Sequence, residues 1–191
     1  MQDWEIKQAQ RAEEARKLAT QYPHLIAVSD KVNSLVAAAK NIRIELAEAF
    51  RGVKFSVRSS RFSGGDAIDI SWTDGPTSKQ VEAITSKYAA GGFDGMTDCY
   101  EYSQSAWTDA FGDAKYVHTS RKFSDRWIMA IMYRVGKRLG GLDRIPTLED
   151  YKQGRLWQVK QSGGCDYARE VNIALSETTG FPTHIAIDEA A

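Results

Sequence analysis

The chain has 191 residues, 42% of them apolar and 26% charged, with 25 basic side chains balancing 25 acidic ones. That composition suits a folded globular protein and excludes general disorder. No apolar run approaches the roughly 18 residues that a membrane-spanning helix requires, and a zero net charge is unlike a uniformly basic nucleic-acid binder.

The N-terminus, MQDWEIKQAQRAEEARK, is charged from its start and has no apolar leader core, which predicts a cytoplasmic protein in its host cell. Residues 3–20 are almost all helix formers with Trp4, Ile6, Ala12, Ala15 and Leu18 as sparse apolar points, so residues 1–27 are expected to be a helical extension. Pro23 breaks that pattern. Ser29 then offers a cap, and Val32, Leu35, Val36, Ala39, Ile42, Leu46 and Phe50 recur at helical spacing, a stripe broad enough to pack on a sheet.

At Gly52 the period falls from 3.6 to 2. Val53, Phe55 and Val57 alternate with polar residues, as do Ile68, Ile70 and Trp72. A turn centred on Ser63-Gly64 sets Val57 opposite Ile70, Phe55 opposite Trp72 and Arg58 opposite Asp69, which predicts a β-hairpin with its large apolar residues on one face. TDGPTSKQ reads as a turn followed by a capping box, Thr77 with Gln80, and Val81, Ile84 and Tyr88 form the buried stripe of the next helix. FDGMTDCYEY is expected to return to the sheet through a turn at Asp94-Gly95. A strand from Tyr116 to Phe123 leads to a cap at Ser124 and a helix burying Trp127, Ile128, Ile131, Met132, Val135 and Leu139. A short helix near Leu148 to Lys152, a strand around Leu156 to Val159 and a last helix capped by Asp166 complete an α+β reading: an antiparallel sheet built on a hairpin, helices on one face, and a single domain over residues 28–191.

The charge is unevenly spread. Residues 1–61 carry 11 basic and 7 acidic side chains, 62–114 carry 2 and 9, 115–160 carry 11 and 4, and 161–191 carry 1 and 5, so the blocks run +4, −7, +7 and −4. Around the hairpin, Arg58 and Arg61 are candidates to grip a phosphate or carboxylate with Asp69 orienting them, and Trp72 to stack or to anchor the turn beside Asp74. Asp94 and Asp98 extend the acidic block as partner-binding candidates, and Arg126, Arg134, Lys137 and Arg138 are candidates for a phosphate-binding helix face. The competing reading is a cross-strand pair, an exposed turn and ordinary solvated charges.

No catalytic residue is assigned. SGGD at 63–66 lacks the Lys-Ser/Thr ending of a phosphate loop and leads into a strand, not a helix. Cys165 sits at the edge of a helix start, but neither His118 nor His184 is placed beside it by the sequence. Cys99 and Cys165 read as reduced thiols, the histidines are scattered, and no metal or cofactor is expected.

The segments NIRIEL, GVKFSVRSS, a glycine turn, IDISWTDGPT and FDGMTD, running over residues 40–102, resemble the large polyvalent protein-associated domain numbered twenty-nine in its series, and KYVHTSRKFS at 115–124 looks like its later strand. Residues 40–124 are therefore the best-anchored part of the chain. Arg51 stands where relatives often have proline. Such domains are similar to parts of long phage and conjugative-element proteins, which implies a role in protecting or establishing incoming DNA. A short free-standing version suits a non-enzymatic, stoichiometric binder of a host restriction or CRISPR component, with nucleic-acid binding or a small hydrolase as the alternatives. The resemblance carries no catalytic residue and leaves the oligomeric state open.

Overall fold

The computed structural model describes residues 2–94, 96 and 98–180. It divides into two compact units, the first comprising residues 1–72 and 79–120, the second 73–78 and 121–191. Among the described residues no helix is long and apolar enough to cross a membrane.

In the first unit, helix α1 (Gln2–Gln21) leaves Trp4 and Ile6 exposed, but its C-terminal half is docked. Ala15 is buried, Leu18 and Tyr22 pack on the core, Arg11 pairs with Asp109 at 2.5 Å, and the Tyr22 ring meets Trp107 edge-on at 5.2 Å. Helix α2 (Ser34–Ala49) buries Leu35, Ala38, Ala39, Ile42 and Leu46, the stripe that its spacing demands. Its cap is Asn33, which accepts from the Leu35 N–H at 3.1 Å, and not Ser29. Ser29 is already closed into a tight turn by reciprocal backbone bonds with Val32, so the helix begins only where the next side-chain acceptor stands.

Strands β1 (Ser56–Phe62) and β2 (Gly65–Thr73) form the expected hairpin in the expected register: Val57 faces Ile70 and Arg58 faces Asp69. Phe55, just before β1, packs its ring 5.5 Å from that of Trp72. Strand β5 (Tyr116–Lys122) lies on the other side of β2, giving the order β1-β2-β5 and a mixed sheet. One face carries Val57, Ile68, Ile70, Trp72 and Val117 onto a core shared with Ile42, Leu46, Val81, Tyr88 and Phe111. Helix α3 (Ser78–Thr85) and a single 3-10 turn at Ser86–Tyr88 supply Val81 and Tyr88, and helix α4 (Ala106–Phe111), closed by a Ser105/Thr108 capping box, supplies Phe111. The architecture is α+β.

FDGMTDCYEY does not rejoin this sheet. Strands β3 (Gly91–Asp94) and β4 (Cys99–Tyr102) form a separate two-stranded sheet with Gly91 opposite Tyr102; Gly95, in the expected turn, lies outside the described residues. Its base is tied down by the backbone, Ala90 donating to Ala114 and Ser103 donating to Ala90, which leaves the ribbon anchored at its root instead of paired along its length. A side chain at Gly91 would place Cβ 2.0 Å from the Glu101 carbonyl oxygen, so only glycine permits this pairing.

In the second unit, helix α5 (Asp125–Leu139) starts on Ser124, whose hydroxyl accepts from Trp127 N–H, and buries Trp127, Ile128, Ile131, Met132 and Val135. Helix α7 (Tyr167–Glu177), capped by Asp166, packs Val171 and Leu175 against it, and the Tyr167 hydroxyl donates to the Met132 carbonyl at 2.8 Å. The stretch at Leu156–Gln158 is a 3-10 turn, not a strand. Gln158 N–H bonds back to Arg155 and Val159 N–H to Leu156, so these two donors are consumed locally and withheld from a ladder.

Helix α6 (Leu148–Lys152) is organised by Asp150, which accepts two hydrogen bonds from Arg144 at 2.7 and 3.2 Å and others from Thr147. The Arg144 guanidinium, then Thr147, hold the Asp150 carboxyl well below the usual carboxylate range. A depressed folded-state pKa contributes stability that is complete above the unfolded value of about 3.9 and is lost as pH falls below it. Asp150→Asn is therefore expected to be less stable than the parent at pH 7, with the gap closing as pH falls below about 4 in acid unfolding followed by circular dichroism. A gap that stayed constant across that range would contradict the assignment.

Candidate functional site

The alternation that built the hairpin also separates its charges. Arg58 and Asp69 are exposed register partners on the outer face of the sheet. Arg61, three residues on, is paired with Asp66 and belongs to the opposite face, because an odd spacing in a strand reverses the side-chain direction. The two arginines therefore do not converge on one anion. Trp72 and Asp74 are 3% and 2% exposed, which makes them interior residues and not surface contacts. Asp74 takes the left-handed backbone conformation (φ 59°), and its Oδ1 accepts from Ser124 N–H at 2.9 Å, supporting the residue that caps α5. Asp98 is exposed, and the Asp94 side chain lies outside the described residues.

The basic residues of α5 are also dispersed. Arg138 pairs with Glu170 at 2.6 Å and Arg134 donates to the Thr178 hydroxyl at 2.6 Å, so both are held by the α7 segment. Arg126 and Lys137 are exposed. Lys137 stands on the rim of an apolar groove of about 850 Å³ lined by Met129, Tyr133, Leu142, Ile145 and Pro146. Cys165 is an exposed free thiol. Among the described residues, no three His, Cys, Asp or Glu side chains are placed to hold a metal ion.

What the fold does assemble is a row of rings on the outer face of the sheet. On β5, Val117 packs into the core, so Tyr116 and His118 on either side of it point outward. Their ring planes lie within 9° of parallel with centroids 5.9 Å apart. Phe62, at the end of β1 and 51% exposed, stands within 19° of parallel to Tyr116 at 6.2 Å. The central strand carries small residues on this face, Gly65 opposite Phe62 and Ala67 opposite Ser60. Tyr100 from β4 meets Tyr116 edge-on at 5.6 Å and Tyr102 at 4.8 Å, and Tyr102 is itself 67% exposed.

Lys115 fastens the row. Its N–H donates to Asp66 Oδ1 at 2.8 Å, its carbonyl accepts the Tyr100 hydroxyl at 2.5 Å, and its ammonium donates to the Gly64 carbonyl at 2.8 Å. That ammonium also lies 5.1 Å from the Tyr100 ring centroid and 5.3 Å from that of Tyr116, within cation–π range. To make these contacts the Lys115 stem crosses over Gly65, where a Cβ would fall 2.6 Å from Lys115 Cδ and where φ is +142°. Burial, followed by the nearby phenols, pushes the Tyr100 hydroxyl above its ordinary pKa, so it stays a neutral donor. The face thus offers parallel aromatic planes, hydroxyls from Ser56, Ser60 and Ser71, and the cations Arg58, Lys115 and Lys122 beside the carboxylate of Asp69. Such a surface can stack on planar groups and hydrogen-bond to polar ones; it has the parts of a binding surface. The i, i+2 spacing of Tyr116 and His118 was the available sequence signal for it.

No curated protein and no solved structure matches the chain. Residues 34–124, which hold the hairpin, the ring row and Lys115, match the family model described as large polyvalent protein associated domain 29, in keeping with the segment resemblance.

Proposed function

We propose that this protein is a non-enzymatic, stoichiometric binding protein of a phage or other mobile element, and that it counters a host restriction or CRISPR-type system by occupying one of its components or that component's nucleic acid. The observation that carries this reading is the row Phe62–Tyr116–His118, its end members exposed and Tyr116 half-buried between them, on a sheet face inside the family-matched residues. Aromatic and arginine side chains dominate the energetics of recognition surfaces, and this face presents both.

In cells carrying such a defence system, expression of the protein is expected to raise the recovery of targeted incoming plasmid in proportion to its dose, and Phe62→Ala with Tyr116→Ala to abolish that gain. Dose-independent protection, or protection untouched by the double variant, would contradict the proposal. A second reading rests on the exposed carboxylates Asp69 and Asp98 in the −7 block, which would present a nucleic-acid-like charge to a basic partner. It requires Asp69→Lys with Asp98→Lys to abolish protection while the ring variants retain it.

A further inference from the structure

We infer that the ligand of the outer sheet face is single-stranded nucleic acid, its bases stacked on Phe62, Tyr116 and His118 and its backbone met by Lys115 and Arg58. This rests on the reading of that face as the binding surface and names the chemistry that it takes. The three rings stand in nearly parallel planes on an open sheet, at successive steps of 6.2 and 5.9 Å. The centre of a protein-docking patch is more apolar than its rim and depleted of charge. Here, besides the Arg58–Asp69 pair, the other outward positions of β1 and β2 are Ser56, Ser60, Gly65, Ala67, Ser71 and Thr73, small or hydroxyl-bearing throughout. Aromatic planes with hydroxyls and a few cations suit a base, a ribose and a phosphate.

The charge supports a single strand over a duplex. Base pairing hides the faces that the rings would stack on, so duplex binding would have to rest on phosphates. The cations beside the rings are Arg58 and Lys115, with Lys122 two steps beyond His118 on β5, and Asp69 opposes Arg58 across the strands. With about two phosphates neutralised, log K should fall with log salt at a slope of about −1.4, a shallow dependence for a nucleic-acid binder.

The test is fluorescence anisotropy with a labelled oligodeoxythymidine of about fifteen nucleotides, within the site sizes such surfaces cover. The expected result is saturable binding with that shallow slope, weaker binding of the matching duplex, and a loss of about 5- to 150-fold in each of Phe62→Ala and Tyr116→Ala, the range that one ring–base stack supplies. Tyr116→Trp keeps a ring and should restore most of the affinity, which separates stacking from an effect on folding. Arg126→Ala and Lys137→Ala should leave the affinity unchanged. The inference is overturned if the oligonucleotide does not bind, if duplex binds as well as single strand, or if Arg126→Ala or Lys137→Ala removes binding that the ring variants retain. Protection that needs Phe62 and Tyr116 without any oligonucleotide binding would remove this ligand and keep the functional reading; oligonucleotide binding without protection would do the reverse.

Discussion

Asn41→Ala will lower the unfolding free energy of the first unit by about 3–5 kcal/mol, because it strands three backbone groups at once. Asn41 is fully buried in the middle of α2's apolar stripe. Its carbonyl accepts from Ile26 N–H at 2.7 Å, and its amide donates to the Ile26 carbonyl at 2.9 Å and to the Phe111 carbonyl at 3.0 Å. One side chain thereby closes the loop between α1 and α2 and ties it to the end of α4. An orphaned buried group costs about 1–3 kcal/mol; the Phe111 carbonyl is such a group, the two groups of half-buried Ile26 stand at the lower end, and a water entering the vacated space would recover part of the sum. Asn41→Asp keeps the acceptor, loses both donors and introduces a buried charge, so it should fall no nearer to the parent than alanine does. Urea denaturation reads the change directly; a loss below about 1 kcal/mol for alanine would show that the three bonds are replaceable.

The second large effect belongs to Arg121. Its guanidinium donates to four backbone carbonyls of the second unit: Asp74, Gly75, Leu175 and Thr178, at 3.2, 2.8, 3.1 and 2.8 Å. It also lies 5.0 and 5.7 Å from the ring centroids of Phe123 and Trp127. Burial draws its pKa downward, yet a guanidinium stays charged at any physiological pH. Two of the acceptors are at the C-terminal end of α7, where helix carbonyls lack intrahelical partners and a cation is favoured. Arg121→Met should cost about 3 kcal/mol, the order expected for losing charge-assisted hydrogen bonds at a partly buried group. Arg121→Lys should recover only a part, since a single ammonium cannot span four acceptors as a planar fork does. Amide exchange at the last turn of α7 should quicken in both variants. Unchanged protection there would show that the clamp is incidental.

The hairpin was legible because two local signals agree on it: strict alternation in Val53–Val57 and Ile68–Trp72, and a glycine turn of fixed length. The caps at Ser124 and Asp166 and the stripe of α5 were legible for the same reason, each being decided within one or two helical turns. Arg58 and Arg61 are a different case. Their odd spacing placed them on opposite faces, and a cluster read without parity joined residues that the strand separates. Trp72 is the core residue that its alternation with Ile68 and Ile70 made it, whereas Asp74 looked like a turn residue by composition but is interior because Ser124, fifty positions away, needs an acceptor.

The ring row and the two polar hubs depend on pairings that no local window contains. β5 joins the sheet through Lys115 and Asp66, residues 49 apart, and Asn41 finds Phe111 across 70. The ribbon β3–β4 was recognised as extended but assigned to the wrong partner, since what fixes it is backbone bonding at Ala90 and Ala114 and not side-chain alternation. Local chemistry names the elements; long-range closure decides which side chains share a surface.

Everything proposed for this protein's function turns on the row Phe62–Tyr116–His118. The most direct measurement is the aromatic-ring NMR spectrum of the protein titrated with unlabelled oligodeoxythymidine. Ring resonances of Phe62, Tyr116 and His118 are expected to shift together and saturate at one concentration, while Tyr133 in the second unit stays still. Oligonucleotide binding that moves Tyr133 and leaves those three rings unshifted, or no shift anywhere, would contradict it.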